Sequence, residues 1–154
     1  STAVQTHLTT TSSQSNTASV RTNILGLNAT ITPSTTSKRV KITIRWNGEH
    51  SNTSAHNQVF GIKRDTTDIG NPAASGSLTV GMAIVAMGYY AAEASTTPDS
   101  ATYIYIDSPA TTSATTYHAT YLALNGGTLY NQRTVLDSGT AERLTSNIIL
   151  EEID

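Results

Sequence analysis

Residues 103–124, YIYIDSPATTSATTYHATYLAL, contain two strand-like runs joined by a connector of Asp, Ser, Pro, Ala and Thr. Successive side chains of a β-strand point to opposite faces of its sheet. The first run therefore places Tyr103 and Tyr105 on one face. The opposite face carries Ile104 and Ile106, so neither face of this strand is suited to water. We infer that another layer of protein covers a face that a lone copy would expose.

The second run adds Tyr117 and Tyr121 to the aromatic side of the predicted sheet. A soluble monomer rarely exposes a patch of several large apolar side chains. Tyrosine is also enriched at interfaces, because its ring buries area while its hydroxyl keeps a hydrogen bond. We therefore predict that copies of the chain meet at Tyr103, Tyr105, Tyr117 and Tyr121. The alternative is that a loop of the same chain covers these rings.

The composition is that of a single β domain. The chain has 154 residues, including 28 Thr and 17 Ser, while charged residues make up only 13%. Thr is β-branched and favours strands, whereas Ser and Thr clusters stabilise turns through side-chain to backbone hydrogen bonds. Strand signals recur between clusters of turn residues, and no segment keeps a helical period.

Residues 39–47, RVKITIRWN, give the clearest strand, because apolar and polar side chains alternate strictly. Together with the other strand signals they predict an all-β protein, an antiparallel β-sandwich of about 8 to 10 strands, with a jelly roll as the favoured arrangement. Within this single domain we expect residues 1–19 to form a first strand and a polar arm that docks on neighbours. Residues 20–154 would then form the jelly roll.

The charge and apolar patterns argue against two classes of partner. The net charge of −2 disfavours nucleic acid, because phosphate neutralisation needs clustered Lys and Arg. We interpret the one basic cluster, which comprises Lys38, Arg39, Lys41 and Arg45, as a solvent-exposed strand face. No apolar stretch approaches the ~18 residues of a membrane span. We therefore expect neither a nucleic-acid partner nor a membrane partner.

The sequence shows no strong pattern of catalytic or metal-binding residues. His50 and His56 lie close to Glu49, but their six-residue spacing matches no strong metal pattern. Glu151 and Glu152 point to opposite faces of a strand and so cannot act as a catalytic pair. There is no cysteine and no G-x-S-x-G motif. We predict a protein that is not an enzyme and that uses no metal or cofactor.

Two predicted loops, residues 48–57 and 88–100, are candidates for ligand contact instead. Both are polar, and the second carries aromatic rings that could stack against sugars. The residues that we expect to line these apical loops are Glu49, His50, His56, Tyr89 and Tyr90.

Five stretches, taken in order, resemble a family of jelly-roll domains encoded by tailed bacteriophages, found at the C-termini of tail fibres and in related virion proteins. They are ATITPSTTSKRVKI (29–42), IKRDTTDIGNP (62–72), YIYIDSPATTSATTYHATYLAL (103–124), GGTLYNQR (126–133) and TSNIILEEI (145–153). The segment DSPATTSATTY is the most specific, and the other stretches are informative as a series. Asp65 is followed by Thr66 where the family usually has Gly, so we expect a different hairpin turn here.

The resemblance implies a homotrimer with a TNF- or C1q-like jelly roll. It also implies a structural or adhesive role in the virion, after synthesis in the host cytoplasm, and no catalysis. The family domain begins close to residue 1 of this chain, so we expect no shaft before it. We therefore expect a protein that docks on a capsid surface, or the excised head of a fibre.

Three functions of different class stay open at this point. The favoured one is a capsid decoration or cement protein, whose trimer binds the major capsid protein and stabilises the head. The alternative is the receptor-binding head of a tail or head fibre, which would join a fibre shaft and contact a host surface glycan through its loops. The second alternative is a carbohydrate-binding module.

Overall fold

The computed structural model describes residues 2–51, 56–87 and 95–154. About 58% of the described residues lie in strands, and these residues contain no helix. The eleven strands are β1 (Ala3–Leu8), β2 (Ser12–Asn16), β3 (Thr22–Ile31), β4 (Arg39–Ser51), β5 (His56–Arg64), β6 (Thr67–Ile69), β7 (Ala83–Met87), β8 (Asp99–Asp107), β9 (Thr115–Ala123), β10 (Gly127–Asn131) and β11 (Ser146–Ile153). The predicted all-β class is confirmed, and the antiparallel sheets agree with a β-sandwich.

The strands form two antiparallel sheets. In the first sheet, β4 pairs on one side with β11 and then β10, which lie end to end, and on the other side with β8. Strands β1 and β2 extend this sheet beyond β11 and β10. The second sheet has the order β3-β9-β5, and both β6 and β7 pair with the outer side of β5. Each sheet is thus about four strands wide.

The core lies between the inner faces of these sheets. The alternation predicted for β4 is confirmed, because Val40, Ile42, Ile44 and Trp46 have no exposed surface. The Trp46 ring packs 5.1 Å from that of Phe60 in the other sheet. Its indole Nε1 donates a hydrogen bond of 2.8 Å to Asn131 Oδ1, which satisfies the one polar atom of the buried ring.

The N-terminal residues belong to the first sheet. Strand β1 pairs with β11 from Ala3 to Leu8, as expected for a first strand. The polar stretch from Ser12 to Asn16, which we predicted as part of an arm, forms β2 and pairs with β10. No helix in the described part of the chain has the length and apolar character that a membrane span requires.

We predict that Ile44→Ala lowers the free energy of unfolding by about 2–5 kcal/mol, because the truncation leaves a cavity in a closely packed core. The matched control is Val20→Ala, at a side chain that is 48% exposed, for which we expect a change within about 0.5 kcal/mol. Urea unfolding followed by Trp46 fluorescence measures both values. Equal losses for the two variants would contradict the inward orientation of β4.

Candidate functional site

The pairing of β8 with β4 decides which face of the tyrosine-isoleucine strand is buried. Tyr103 lies opposite Ile44 in the register, and Tyr105 lies opposite Ile42. Directly opposed residues of an antiparallel pair share one face of the sheet. Because both isoleucines of β4 face the core, the two tyrosines of β8 face it too.

The predicted tyrosine interface is therefore wrong for three of its four members. Tyr103, Tyr117 and Tyr121 belong to the buried core of a single chain, with exposed fractions of 6% or less. Tyr105 packs partly buried against that core. The Tyr103, Tyr117 and Tyr121 rings pack in the core between the two sheets of one chain. The Tyr105 ring lies beside Gly70, in the segment that joins β6 to β7.

Two tyrosine hydroxyls find hydrogen-bond acceptors inside the core. The Tyr103 hydroxyl donates to the Gly61 carbonyl oxygen at 2.9 Å, and the Tyr117 hydroxyl donates to Asp107 Oδ2 at 2.6 Å. Burial raises the pKa of Tyr103 well above its usual range. Burial, followed by the hydrogen bond to Asp107, does the same for the pKa of Tyr117. Satisfied hydroxyls make the inward orientation favourable.

The most specific motif of the sequence is DSPATTSATTY, and its first and last residues, Asp107 and Tyr117, are hydrogen-bonded to each other. Besides accepting from Tyr117, the Asp107 carboxylate lies 3.6 Å from Arg64 Nε. Asp65, which follows Arg64, makes two hydrogen bonds with Thr116. Its backbone N–H donates to the Thr116 carbonyl oxygen at 2.7 Å, and its Oδ1 accepts from the Thr116 backbone N–H at 3.0 Å. Asp65 has a left-handed backbone, with φ of 52°. This Asp107 network therefore joins the motif to the IKRD stretch and has a structural role.

The outward side of β8 carries the isoleucines instead of the tyrosines. Ile104 and Ile106 are 55% and 43% exposed. In the register Ile104 lies beside Thr43, which in turn lies beside Ile149 of β11. These four residues, Ile104, Ile106, Thr43 and Ile149, define the isoleucine face of the first sheet. This face was not predicted from the sequence, because the tyrosines were expected in the outward position.

The charged residues on the same sheet face lie around the isoleucine face. Lys41 stands between Ile106 and Glu151 in the register. Arg45 donates hydrogen bonds of 3.1 Å to both Asn147 Oδ1 and Thr145 Oγ1. Arg39, Lys41 and Arg45 of the predicted basic cluster thus lie on the outer face of β4, where charges flank the apolar row, and Lys38 precedes the strand.

Glu49 and His50 do not lie in a loop, contrary to our prediction. Strand β4 continues to Ser51, and both residues are buried, with exposed fractions of 3% and 2%. They pair in the register with Tyr130 and Leu129 of β10. The polar composition of the stretch suggested a loop, but the strand is long enough to pair with β11 and β10 in succession. Neither residue is available on an apical surface.

The Glu49 carboxylate holds two distant segments against the outer side of β4. Its Oε2 accepts from the backbone N–H and the hydroxyl of Thr97, at 3.1 and 2.8 Å. Its Oε1 accepts from the Val135 backbone N–H at 2.8 Å. Burial raises the pKa of nearby Asp99, and the Glu49 charge adds to this rise. Three donors compensate the buried charge of Glu49, which indicates a structural anchor.

The remaining predicted ligand residues are only partly described. His56 begins β5, where its backbone pairs with Met87. Tyr89 and Tyr90 lie outside the described residues. Within the described ranges, no group of three or more His, Cys, Asp or Glu side chains could hold a metal ion.

Comparison with known proteins finds no matching family model and no matching curated protein.

We predict that Tyr117→Phe destabilises the fold by about 1–3 kcal/mol, because it removes a donor from the buried Asp107 carboxylate. Tyr121→Phe is the matched control, since the Tyr121 hydroxyl is buried without a hydrogen-bond partner among the described residues. For that variant we expect an unfolding free energy near that of the parent. Urea unfolding of both variants measures the difference, and a larger loss for Tyr121→Phe would contradict the Asp107 network.

Proposed function

We propose that this chain is a non-enzymatic structural protein of a bacteriophage particle, which forms a homotrimer and decorates the capsid by binding the major capsid protein. The observation that carries the proposal is the isoleucine face, where Ile104 and Ile106 are exposed on a strand at the sheet edge. Burial of apolar surface contributes roughly 25 cal/mol per Å². Association of copies through this face would therefore stabilise an assembly.

The strand order supports a jelly roll. When the end-to-end pairs β1 with β2, β6 with β7 and β10 with β11 are each counted as one position, both sheets have four. The chain then crosses from one sheet to the other at nearly every step, and the exception is the hairpin that joins β5 to β6 and β7. Two wrapped Greek keys give this alternation in a jelly roll.

The resemblance to bacteriophage domains supports the virion role. Its most specific stretch, DSPATTSATTY, begins and ends in the Asp107 network, and the IKRD stretch supplies Arg64 and Asp65 to the same place. Two motifs that are far apart in sequence thus contribute to the same network of hydrogen bonds and an ion pair. A trimer suits capsid decoration, because three linked copies that each bind weakly gain affinity from their multivalency.

We predict that Ile104→Asp converts the assembled chain to a folded monomer, because a charge would have to be desolvated in the apolar contact. A central interface residue contributes about 2 kcal/mol or more, so the dissociation constant should rise at least about tenfold. Leu25→Asp is the matched control, because Leu25 is 49% exposed on β3. Sedimentation velocity gives the mass of each variant. An unchanged assembly for Ile104→Asp would contradict the isoleucine face as the contact.

The virion role is tested on particles of the bacteriophage that encodes the chain. Antibodies against the chain should label the head surface in electron micrographs. Particles that lack the chain should lose DNA at a lower temperature while they still adsorb to cells normally. Label at the tail tip together with lost adsorption would favour the receptor-binding alternative, and unlabelled particles would contradict any virion role.

A further inference from the structure

A second exposed apolar surface lies on the other sheet. Leu78 is 73% exposed and Ile84 is 62% exposed. Ile84 and Thr79, the residue after Leu78, line a shallow depression of about 180 Å³ together with Val59, Gly81 and Met82. Leu78, Ile84 and this depression together are called the Leu78 ridge. Large aliphatic side chains exposed to this degree beside an apolar depression are a common mark of a protein contact.

The backbone under the Leu78 ridge is held in place on the second sheet. The Arg21 guanidinium crosses β9 and β5 and donates to the Val80 carbonyl oxygen at 2.5 Å. The Met82 N–H donates to the Phe60 carbonyl oxygen at 2.8 Å. Gly61 makes room for the arginine, since a Cβ there would lie 3.0 Å from Arg21 Nη1. The ridge is therefore a preorganised surface, which loses little entropy on binding.

The Leu78 ridge and the isoleucine face flank the same edge of the sandwich. Strand β7 is an outer strand of the second sheet, β8 is an outer strand of the first, and the two contact each other across the edge. Ile84 points out of one sheet, and Ile104 points out of the other. The edge formed by β7 and β8 therefore has an apolar surface on each of its two sides, the Leu78 ridge on one and the isoleucine face on the other. We call this edge the wedge and the two surfaces its flanks.

The chemistry of this wedge suits a second copy of the same chain. The sequence has no charged residue from Gly70 to Met87 or from Ser100 to Ile106. By contrast, the outward side chains of β1 and β2 at the far edge include Gln5, His7 and Ser13. Each flank of the wedge therefore offers exposed aliphatic side chains on an uncharged segment, and Lys41 and Arg45 border the isoleucine face. The aliphatic surface of one flank thus matches that of the opposite flank of a neighbouring copy.

We propose that the isoleucine face of one copy packs against the Leu78 ridge of the next, an inference that rests on the proposed self-assembly. Such a head-to-tail contact joins two different surfaces and closes into a ring when the rotation between copies allows it. Three wedges around one axis give the homotrimer. An isologous contact of isoleucine face with isoleucine face would instead stop at two copies.

Two variants that each lose one surface test this pairing. Ile104→Asp removes the isoleucine face, and Ile84→Asp removes the Leu78 ridge. Each variant alone should be a folded monomer by sedimentation and circular dichroism. Because each keeps the surface that the other lacks, an equimolar mixture should form a one-to-one heterodimer that goes no further, with a twofold rise in mass by native mass spectrometry. Leu78→Asp provides a second ridge variant if Ile84→Asp fails to fold.

The possible outcomes separate the pairing from the proposed function. An Ile84→Asp or Leu78→Asp variant that assembles like the parent chain would overturn the ridge as partner surface while the isoleucine face stays. A mixture that remains monomeric, although both variants are folded, would overturn the head-to-tail contact. A parent chain that is itself a monomer would overturn self-assembly, and the pairing with it. Ile84→Asp mixed with Leu78→Asp is the control, because both variants lack the ridge and their mixture should stay monomeric.

Discussion

The register between β8 and β4 is the constraint on which the rest of the structure depends. Because Tyr103 lies opposite Ile44, every second residue of β8 faces the core and the residues between them face the surface. A slip of one residue would exchange the two sets, because side chains alternate with a period of two. The same register that buries the tyrosines therefore exposes Ile104 and Ile106, so that packing within one chain creates the apolar surface on which the proposed contact between chains depends.

Sequence patterns predicted the strands whose two faces differ in polarity. In β4 the alternation of Val40, Ile42 and Ile44 with charged residues left one orientation favourable, and the structure has it. In β8 both faces are apolar, so alternation alone could not choose between them. The choice depends on acceptors such as the Gly61 carbonyl oxygen, which is 42 residues away from Tyr103 in sequence. Aromatic residues with polar tips go inside where such partners exist.

Predictions of the candidate site failed where polar residues lie inside the sheet. Glu49 and His50 have the composition of a loop, but both lie in β4 and pair with β10, and the segments around Thr97 and Val135 cover Glu49. The donors that compensate Glu49 come from Thr97 and Val135, which are 48 and 86 residues away. No local pattern reveals such an anchor. By contrast, Asp107 and Tyr117 lie only 10 residues apart, within the single motif DSPATTSATTY.

The proposed self-assembly places the contact between copies at a single edge of the sandwich, formed by β7 and β8. Hydrogen–deuterium exchange of the unmodified chain, at protein concentrations above and below its association range, measures this most directly. The account predicts that amides of β8 and of residues 76–84 exchange more slowly at the higher concentration, while those of β1, β2 and β3 do not change. Protection at the far edge, or exchange in β8 that is independent of concentration, would contradict it.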